Sequence, residues 1–476
     1  MTLRWFGIAS LFVVFLVGGC GPEGRKGGIA SGTCDPGKKR ECYGGVDGTD
    51  GEGPCHSGTQ TCGSDALWGP CEGQVVPSQE LCGDGVDNNC NGQLDENADL
   101  DGDGITTCGG DCCDSTECTN PGLVNAGAFD APGNMVDDDC NGVVDDSSLL
   151  CDQGLVSNSS NALDYAKAID ICQTATMTEK KWGVISAEFT LADGNGAPAA
   201  ISKAIRPKFG SGVLPRGGVN LALLSTGAAA GRGDTNPAYQ DFQDGDFFGN
   251  GTESGFPQDF LMANNGSLPN APGCPEASGT TANDPVMLTL TIRVPTNARS
   301  FKLATNFFSS EFPEFTCSPF NDFFVVLLDS TVPGNPADKN LAFYSSGNGT
   351  TYPVGVNLAS GNTGLFTQCV NGSTGCSGTD GTISTCIGTD QLAGTGLDTA
   401  DPGSCDSNSL QGGGTGWLET SGNVTPGEII KLRIAIWDTS DHILDSIAAI
   451  DGFQWSVDPA TPGTVILREL APGDEE

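Results

Sequence analysis

Residues 288–294 read LTLTIRV and residues 323–328 read FFVVLL. In the first stretch Leu288, Leu290, Ile292 and Val294 alternate with Thr289, Thr291 and Arg293, the two-residue period of a strand with one apolar and one polar face. The second is apolar throughout and reads as a strand covered on both faces. Working outward, Phe301, Leu303 and Thr305 alternate with Lys302 and Asn306, and Ile430, Leu432, Ile434 and Ile436 with outward-facing Lys431 and Arg433. Gly/Pro turns separate these runs and little helix intervenes, apart from an amphipathic stretch at 161–172. The expected class is mainly β: an antiparallel, jelly-roll-like β-sandwich over residues 152–470. Four cysteines between Cys369 and Cys405 mark a disulfide-stapled insertion.

The chain has 476 residues and a formal charge of -39, with 21 Lys and Arg in all. That balance excludes binding to a nucleic-acid backbone, which needs clustered basic residues, and favours cationic partners. At the N-terminus, one basic residue (Arg4) precedes an apolar run from Trp5 to Val17, then Gly18-Gly19-Cys20. This reads as an export signal, and its end resembles a bacterial lipoprotein lipobox. The resemblance implies cleavage before Cys20, acylation of that cysteine and placement of the chain on the outer membrane at the cell surface, in contact with the membrane through lipid. Residues 1–20 are thus the expected signal and 21–33 a Gly-rich tether. Setting Cys20 aside leaves an even number of cysteines, as expected of an exported chain stapled by disulfides. Their pairing cannot be read from spacing.

Residues 34–80 form a Cys-rich module with five cysteines between Cys34 and Cys71. Residues 81–151 hold 16 acidic side chains and no Lys or Arg. Within them VDNNCNGQLDE (86–96) aligns with VDDDCNGVVDD (136–146), an internal repeat. Three times the pattern is D-x-[DN]-x-[DN]-G: Asp87, Asn89, Asn91; Asp99, Asp101, Asp103; Asp137, Asp139, Asn141. Calcium takes about six to eight oxygen ligands, and alternate Asp/Asn side chains converge on one ion when a glycine turns the backbone behind them. Asp95, Asp111, Asp114 and Asp145 are candidates for the remaining positions. The Glu that closes a helical EF-hand loop is missing, as are flanking helices. A solvated acidic spacer is the plainer alternative, but a spacer needs no glycine in the same place three times.

ELCGDGVDNNCNGQLDE, LDGDG, CGGDC and NMVDDDCNGVVDD resemble the MopE-type metal-binding repeat of Gram-negative surface proteins. That family's name carries a copper association. Residues 81–151 contain no histidine and a single Met135, so calcium is the expected cofactor and copper the disfavoured one.

Farther on, GGVNLALLSTG (217–227), FFSSEFPEFTCSPFNDFFVVLL (307–328) and GEIIKLRIAIWDTSDHILDSIAAI (427–450) are similar to the choice-of-anchor L domain of secreted bacterial proteins. The resemblance implies a surface module rather than a reaction. At the ends of the expected strands, Glu311, Asp322, Asp438, Asp441 and Asp445 are candidates for a second metal or ligand site, with Ser310, Asn321 and Ser446 beside them. Turn-forming acids are an equally economical reading. No HExxH, GxSxG or P-loop occurs, and the only histidines are His56 and His442. Arg232-Gly233-Asp234 spells an adhesion tripeptide, which a Gly- and Asp-rich chain makes by chance. The expectation is a non-enzymatic surface lipoprotein that uses calcium loops and presents its sandwich to an extracellular glycan or protein. Two alternatives remain: a polysaccharide hydrolase using Glu311 and Asp322, or a copper-binding surface protein.

Overall fold

The computed structural model describes residues 34–78, 80–81, 84–94, 99, 101–114, 120–145, 150–243, 251–347, 349–361, 363–370, 386–400 and 409–467. Cys20, Asp95, Cys376 and Cys405 lie outside the described residues. The chain divides into two compact units, one ending at Asp99 but including Thr106–Gly109, and one made of the remainder. Among the described residues no helix is long and apolar enough to cross a membrane.

The first unit is organised by covalent bonds. A hairpin pairs β1 (Lys39–Cys42) with β2 (Gly58–Thr61), Lys39 opposite Thr61 and Cys42 opposite Gly58. Disulfides join Cys34 to Cys62, Cys42 to Cys71 and Cys55 to Cys90. The only buried apolar residues described in this unit are Cys55, Cys62 and Cys90. With so little apolar surface to bury, order has to come from crosslinks, each contributing about 2 to 4 kcal/mol through the unfolded chain. Arg40 lies over the Trp68 ring at 4.3 Å, adding a cation–π contact on one face.

The second unit is an antiparallel β-sandwich. Its strands are β3 (Gly183–Thr190), β4 (Lys203–Arg206), β5 (Leu221–Ser225), β6 (Glu253–Ser254), β7 (Ala282–Arg293), β8 (Ser300–Ser309), β9 (Phe323–Asp329), β10 (Phe343–Ser345), β11 (Thr351–Pro353), β12 (Gly413–Gly414), β13 (Leu418–Asn423), β14 (Ile429–Asp438), β15 (Ser446–Ser456) and β16 (Gly463–Ile466). One sheet runs β16-β13-β8-β15-β5-β4 with β12 added to β8; the other runs β3-β7-β14-β9 with β6 added to β7. β10 and β11 form a separate hairpin. Leu288, Leu290 and Ile292 of β7 and Ile430, Leu432, Ile434 and Ile436 of β14 face Phe301, Leu303 and Phe307 of β8 and Ala448 and Ile450 of β15, all fully buried. Side chains of this size contribute about 1.5 to 3 kcal/mol each when removed from water. In β9 the even-numbered Phe324, Val326 and Leu328 enter that core, while Phe323, Val325 and Leu327 pack outside with Trp437. The apolar run FFVVLL therefore has two covered faces, as its composition implies.

Helix α1 (Ala162–Ala168) is shorter than the expected 161–172. Asn161 caps it by accepting from the Leu163 amide, and Ile169 and Cys172 lie beyond its end. A second helix, α2 (Gln258–Ala263), brings Phe260 onto Trp437 and so covers the outer face of the β7–β14–β9 sheet. This cover corrects two expectations. β7 is buried on both faces along most of its length rather than half exposed, and outward-facing Arg433 is only 11% exposed, bonded to Asp259. Asn306, expected on a polar face, is fully buried and donates to Gln391 Oε1. The Cys369–Cys386 disulfide staples part of the expected insertion.

Candidate metal centres

The two repeats form the same loop. In the first unit, Asp87 Oδ1 accepts from the Asn91 amide at 3.0 Å and Asp87 Oδ2 from Gly92 at 2.8 Å. Asn89 Oδ1 accepts from Asn91 at 3.1 Å and Asn91 Oδ1 from Gln93 at 2.9 Å. In the second unit, Asp137 accepts from Asn141 at 3.1 Å and from Gly142 at 2.9 Å, Asp139 from Asn141 at 3.1 Å, and Asn141 from Val143 at 2.8 Å. The backbone agrees: Cys90 and Cys140 both have φ 59°, and Gly92 and Gly142 have φ 91° and 93°. Those last two positions lie where an L side chain is strained, which is why glycine recurs there. Alternate side-chain oxygens thus curl toward their own loop, held by its amides, as a cation-binding loop requires.

The repeat reaches farther back than the aligned cores. Val86 donates to Asp84 Oδ1 and Val136 to Asn134 Oδ1, each at 2.8 Å. Glu80 Oε2 accepts from Asn89, and Asp130 Oδ1, fifty residues later, from Asp138. Met135, with φ 62°, stands where the first copy has Gly85, with φ 71°. Sequence reading missed Glu80 and Asp130 because one repeat uses Glu and the other Asp. Asp145 sends its carboxylate to the Asn134 and Met135 amides. Asp138, between two candidates, is buried, and that burial raises its pKa.

The third motif is divided: Asp99 ends the first unit, while Asp101 and Asp103, in LDGDG, belong to the second. Asp101, Asp111 and Asp114 bring one carboxylate oxygen each within 4.8 Å of one another. Asp101 Oδ1 accepts from the Asp103 amide, and its buried Oδ2 has no hydrogen-bond partner among the described residues. Asp103 is braced by the fully buried Asn125, which donates to it at 2.6 Å. Burial, then the charges of Asp103, Asp101 and Asp114, push Asp111 up to about 6 against an opposing bond from Cys113.

All these donors are hard oxygens. Cys90, Cys108, Cys112, Cys113 and Cys140 are disulfide-bonded, so they offer no thiolate. Met135, 84% exposed, is the only soft side chain described in this segment. The set is one of hard oxygen donors, the ligand type that hard cations take.

In the sandwich, Glu311, Asp322 and Asp438 come together, one oxygen from each within 4.8 Å of the others, at 1%, 0% and 3% exposure. Burial raises all three pKa values; the charge of Asp322 adds to the rise of Glu311 and Asp438, and the charges of Asp441 and Asp284 add to that of Asp322. Asp438 and Ser446 lie close enough to Asp322 to offset part of its rise, yet neither makes a bond of good geometry to it. Asp441 is half-buried and accepts from Ile443. Asp445 packs its carboxylate against Gly227, while its carbonyl accepts from the Ser310 hydroxyl. Asn321 is turned to Asn357 instead. His442 pairs with buried Asp284 at 2.6 Å and Glu253 at 3.4 Å rather than with Asp441. In the Arg-Gly-Asp tripeptide, Arg232 pairs with Asp398 and Asp234 with Arg206.

A further acidic group had no sequence signal. Asp152 accepts from Val219 and Asn220, and Asp451 from Arg216 and Gly217, while Asp170 packs against Gly217 and Gly218. These residues are 18 and 281 positions apart along the chain, and the Arg216–Asn220 turn brings them together.

Comparison with protein families matches residues 275–452 to the choice-of-anchor L domain, and residues 77–96 and 111–146 to the metal-binding motif named for MopE. The second match covers both repeat loops, Asp111 and Asp114; the first contains Glu311, Asp322 and Asp438. No curated protein and no solved structure matches the chain.

Proposed function

We propose that this chain is a cell-surface lipoprotein whose acidic repeats bind calcium and whose β-sandwich is presented to an extracellular glycan or protein. The observation that carries the reading is the near-identity of the two loops, whose side-chain oxygens occupy matching places in a segment that also matches a metal-binding family. Asp87, Asn89 and Asn91 would hold one ion, Asp137, Asp139 and Asn141 another, and Asp101, Asp111 and Asp114 supply a third oxygen cluster. Calcium supplies positive charge to carboxylates that otherwise repel one another at about 3 kcal/mol per close pair. The protein's part is to hold the oxygens ready: the loop amides fix each Asp and Asn rotamer, and glycine lets the backbone turn behind them.

The disulfides suit an oxidising, extracellular setting, and lipidation at Cys20 would supply attachment. A non-enzymatic role draws support from the burial of Glu311 and Asp322, which leaves a polysaccharide no approach to the pair proposed for hydrolysis. The test is thermal unfolding of the full, disulfide-bonded chain in calcium and in chelator, with elemental analysis after dialysis against equal calcium and copper. Calcium-dependent stabilisation with calcium retained supports the reading. Equal melting temperatures, or stoichiometric copper, would overturn it.

A further inference from the structure

We propose that Glu311, Asp322 and Asp438 form a divalent-cation site of the calcium class that clips the two sheets of the sandwich together at one end. The site is separate from the repeat loops and does not depend on them. Glu311 follows β8 and Ser446 opens β15, in one sheet; Asp322 immediately precedes β9 and Asp438 ends β14, in the other. A single ion between them would bridge both sheets.

The need for an ion comes from what the carboxylates lack. Asp322 is fully buried, and neither of its oxygens has a hydrogen-bond partner among the described residues; the same holds for Asp438 Oδ1 and for the buried Ser446 hydroxyl. Native proteins rarely leave buried acceptors unsatisfied, and buried charge is retained only when it is paired or coordinates a metal. Among the described residues no lysine or arginine forms an ion pair with any member of the trio. Glu311 is held in place through its backbone, its amide donating to Ser309 Oγ and its carbonyl accepting from Phe315, which leaves its carboxylate turned inward toward the Asp322 amide. The donors are carboxylate and hydroxyl oxygens with no imidazole or thiolate, which selects a hard cation. Ser446 offers a neutral oxygen to complete the set.

The site carries its own reporter. Trp437 immediately precedes Asp438 and stacks on Phe323, the neighbour of Asp322, at 5.8 Å and 17°. Calcium chloride is titrated into the chelator-treated full chain while tryptophan fluorescence and melting temperature are followed. The wild type is compared with Asp322→Asn, Glu311→Gln and the loop variant Asp87→Asn/Asp137→Asn. The expected result is one calcium fewer per chain in Asp322→Asn and in Glu311→Gln, with the fluorescence change lost in both and kept in the loop variant. In chelator, Asp322→Asn should melt no lower than wild type, because it removes repulsion. Should Asp322→Asn and Glu311→Gln keep the full calcium response, or should the sandwich transition of the wild type ignore calcium, the site is refuted, whatever the loops do. A response lost only in the loop variant would overturn this site while leaving the repeat-loop reading standing.

Discussion

Replacing Asp451 by Asn should change how the sandwich's stability depends on pH. Asp451 is fully buried in β15; its Oδ2 accepts from Arg216 and Gly217, and its Oδ1 has no partner among the described residues. Burial, reinforced by the charge of Asp170, lifts its pKa from 3.8 to about 7. Asp170, pushed up to about 6 by burial and by Asp152, faces the same turn. For a carboxyl raised on folding, the native state holds a proton that the unfolded chain has released between the two pKa values. Stability is therefore fully present below about pH 4 and falls as pH rises toward 7. At about 1.4 kcal/mol for each tenfold change, Asp451 alone accounts for about 4 kcal/mol between pH 4 and pH 8. Asn keeps an oxygen for the two amides and cannot ionise, so the variant should match wild type near pH 4 and exceed it by about 2 to 4 kcal/mol near pH 8. The assay is denaturant unfolding in chelator across that range, followed by tryptophan fluorescence, to which the second unit contributes Trp182, Trp417, Trp437 and Trp455. Parallel pH curves for the two proteins would mean that Asp451 ionises normally and that the burial argument is wrong.

Other consequences concern separate parts of the chain. Removing the Cys42–Cys71 disulfide by paired serine substitution should destabilise the first unit by about 3 kcal/mol, read from Trp68 fluorescence in a chain otherwise lacking tryptophan. Truncating Arg433 to Ala leaves Asp259 with Lys339 alone; because Arg433 is mostly buried, the sandwich should lose about 2 kcal/mol in urea unfolding, with only weak dependence on salt. Leu290→Ala opens a cavity between the sheets and should cost about 2 to 5 kcal/mol by the same measurement.

Much of the sandwich was legible because its strands keep their periodicity. LTLTIRV alternates as a strand must, and FFVVLL announces two covered faces. What the sequence did not show was what covers them: α2 and its Asp259 bury Arg433, a contact between residues 174 positions apart. The same limit applies to the sites. Local spacing made the oxygens of the two aligned loops readable, since Asp87, Asn89, Asn91, Asp137, Asp139 and Asn141 accept from amides within five residues of themselves. Glu80 and Asp130 escaped because the two copies use different acids, which bond to neighbouring rather than matching amides of the loop, those of Asn89 and Asp138. Glu311, Asp322 and Asp438 could be named as strand-end acids, but their convergence depends on the register that brings β9 and β14 together. Asp152, Asp170 and Asp451 lacked even that cue.

The central claim is that the repeat loops bind calcium through side-chain oxygens, and calorimetric titration of calcium into the chelator-treated full chain tests it most directly. Wild type should take up calcium at millimolar or lower concentration, and Asp87→Asn/Asp137→Asn should weaken the loop sites by about tenfold or more. Superimposable isotherms for the two proteins, or no uptake by either, would contradict it.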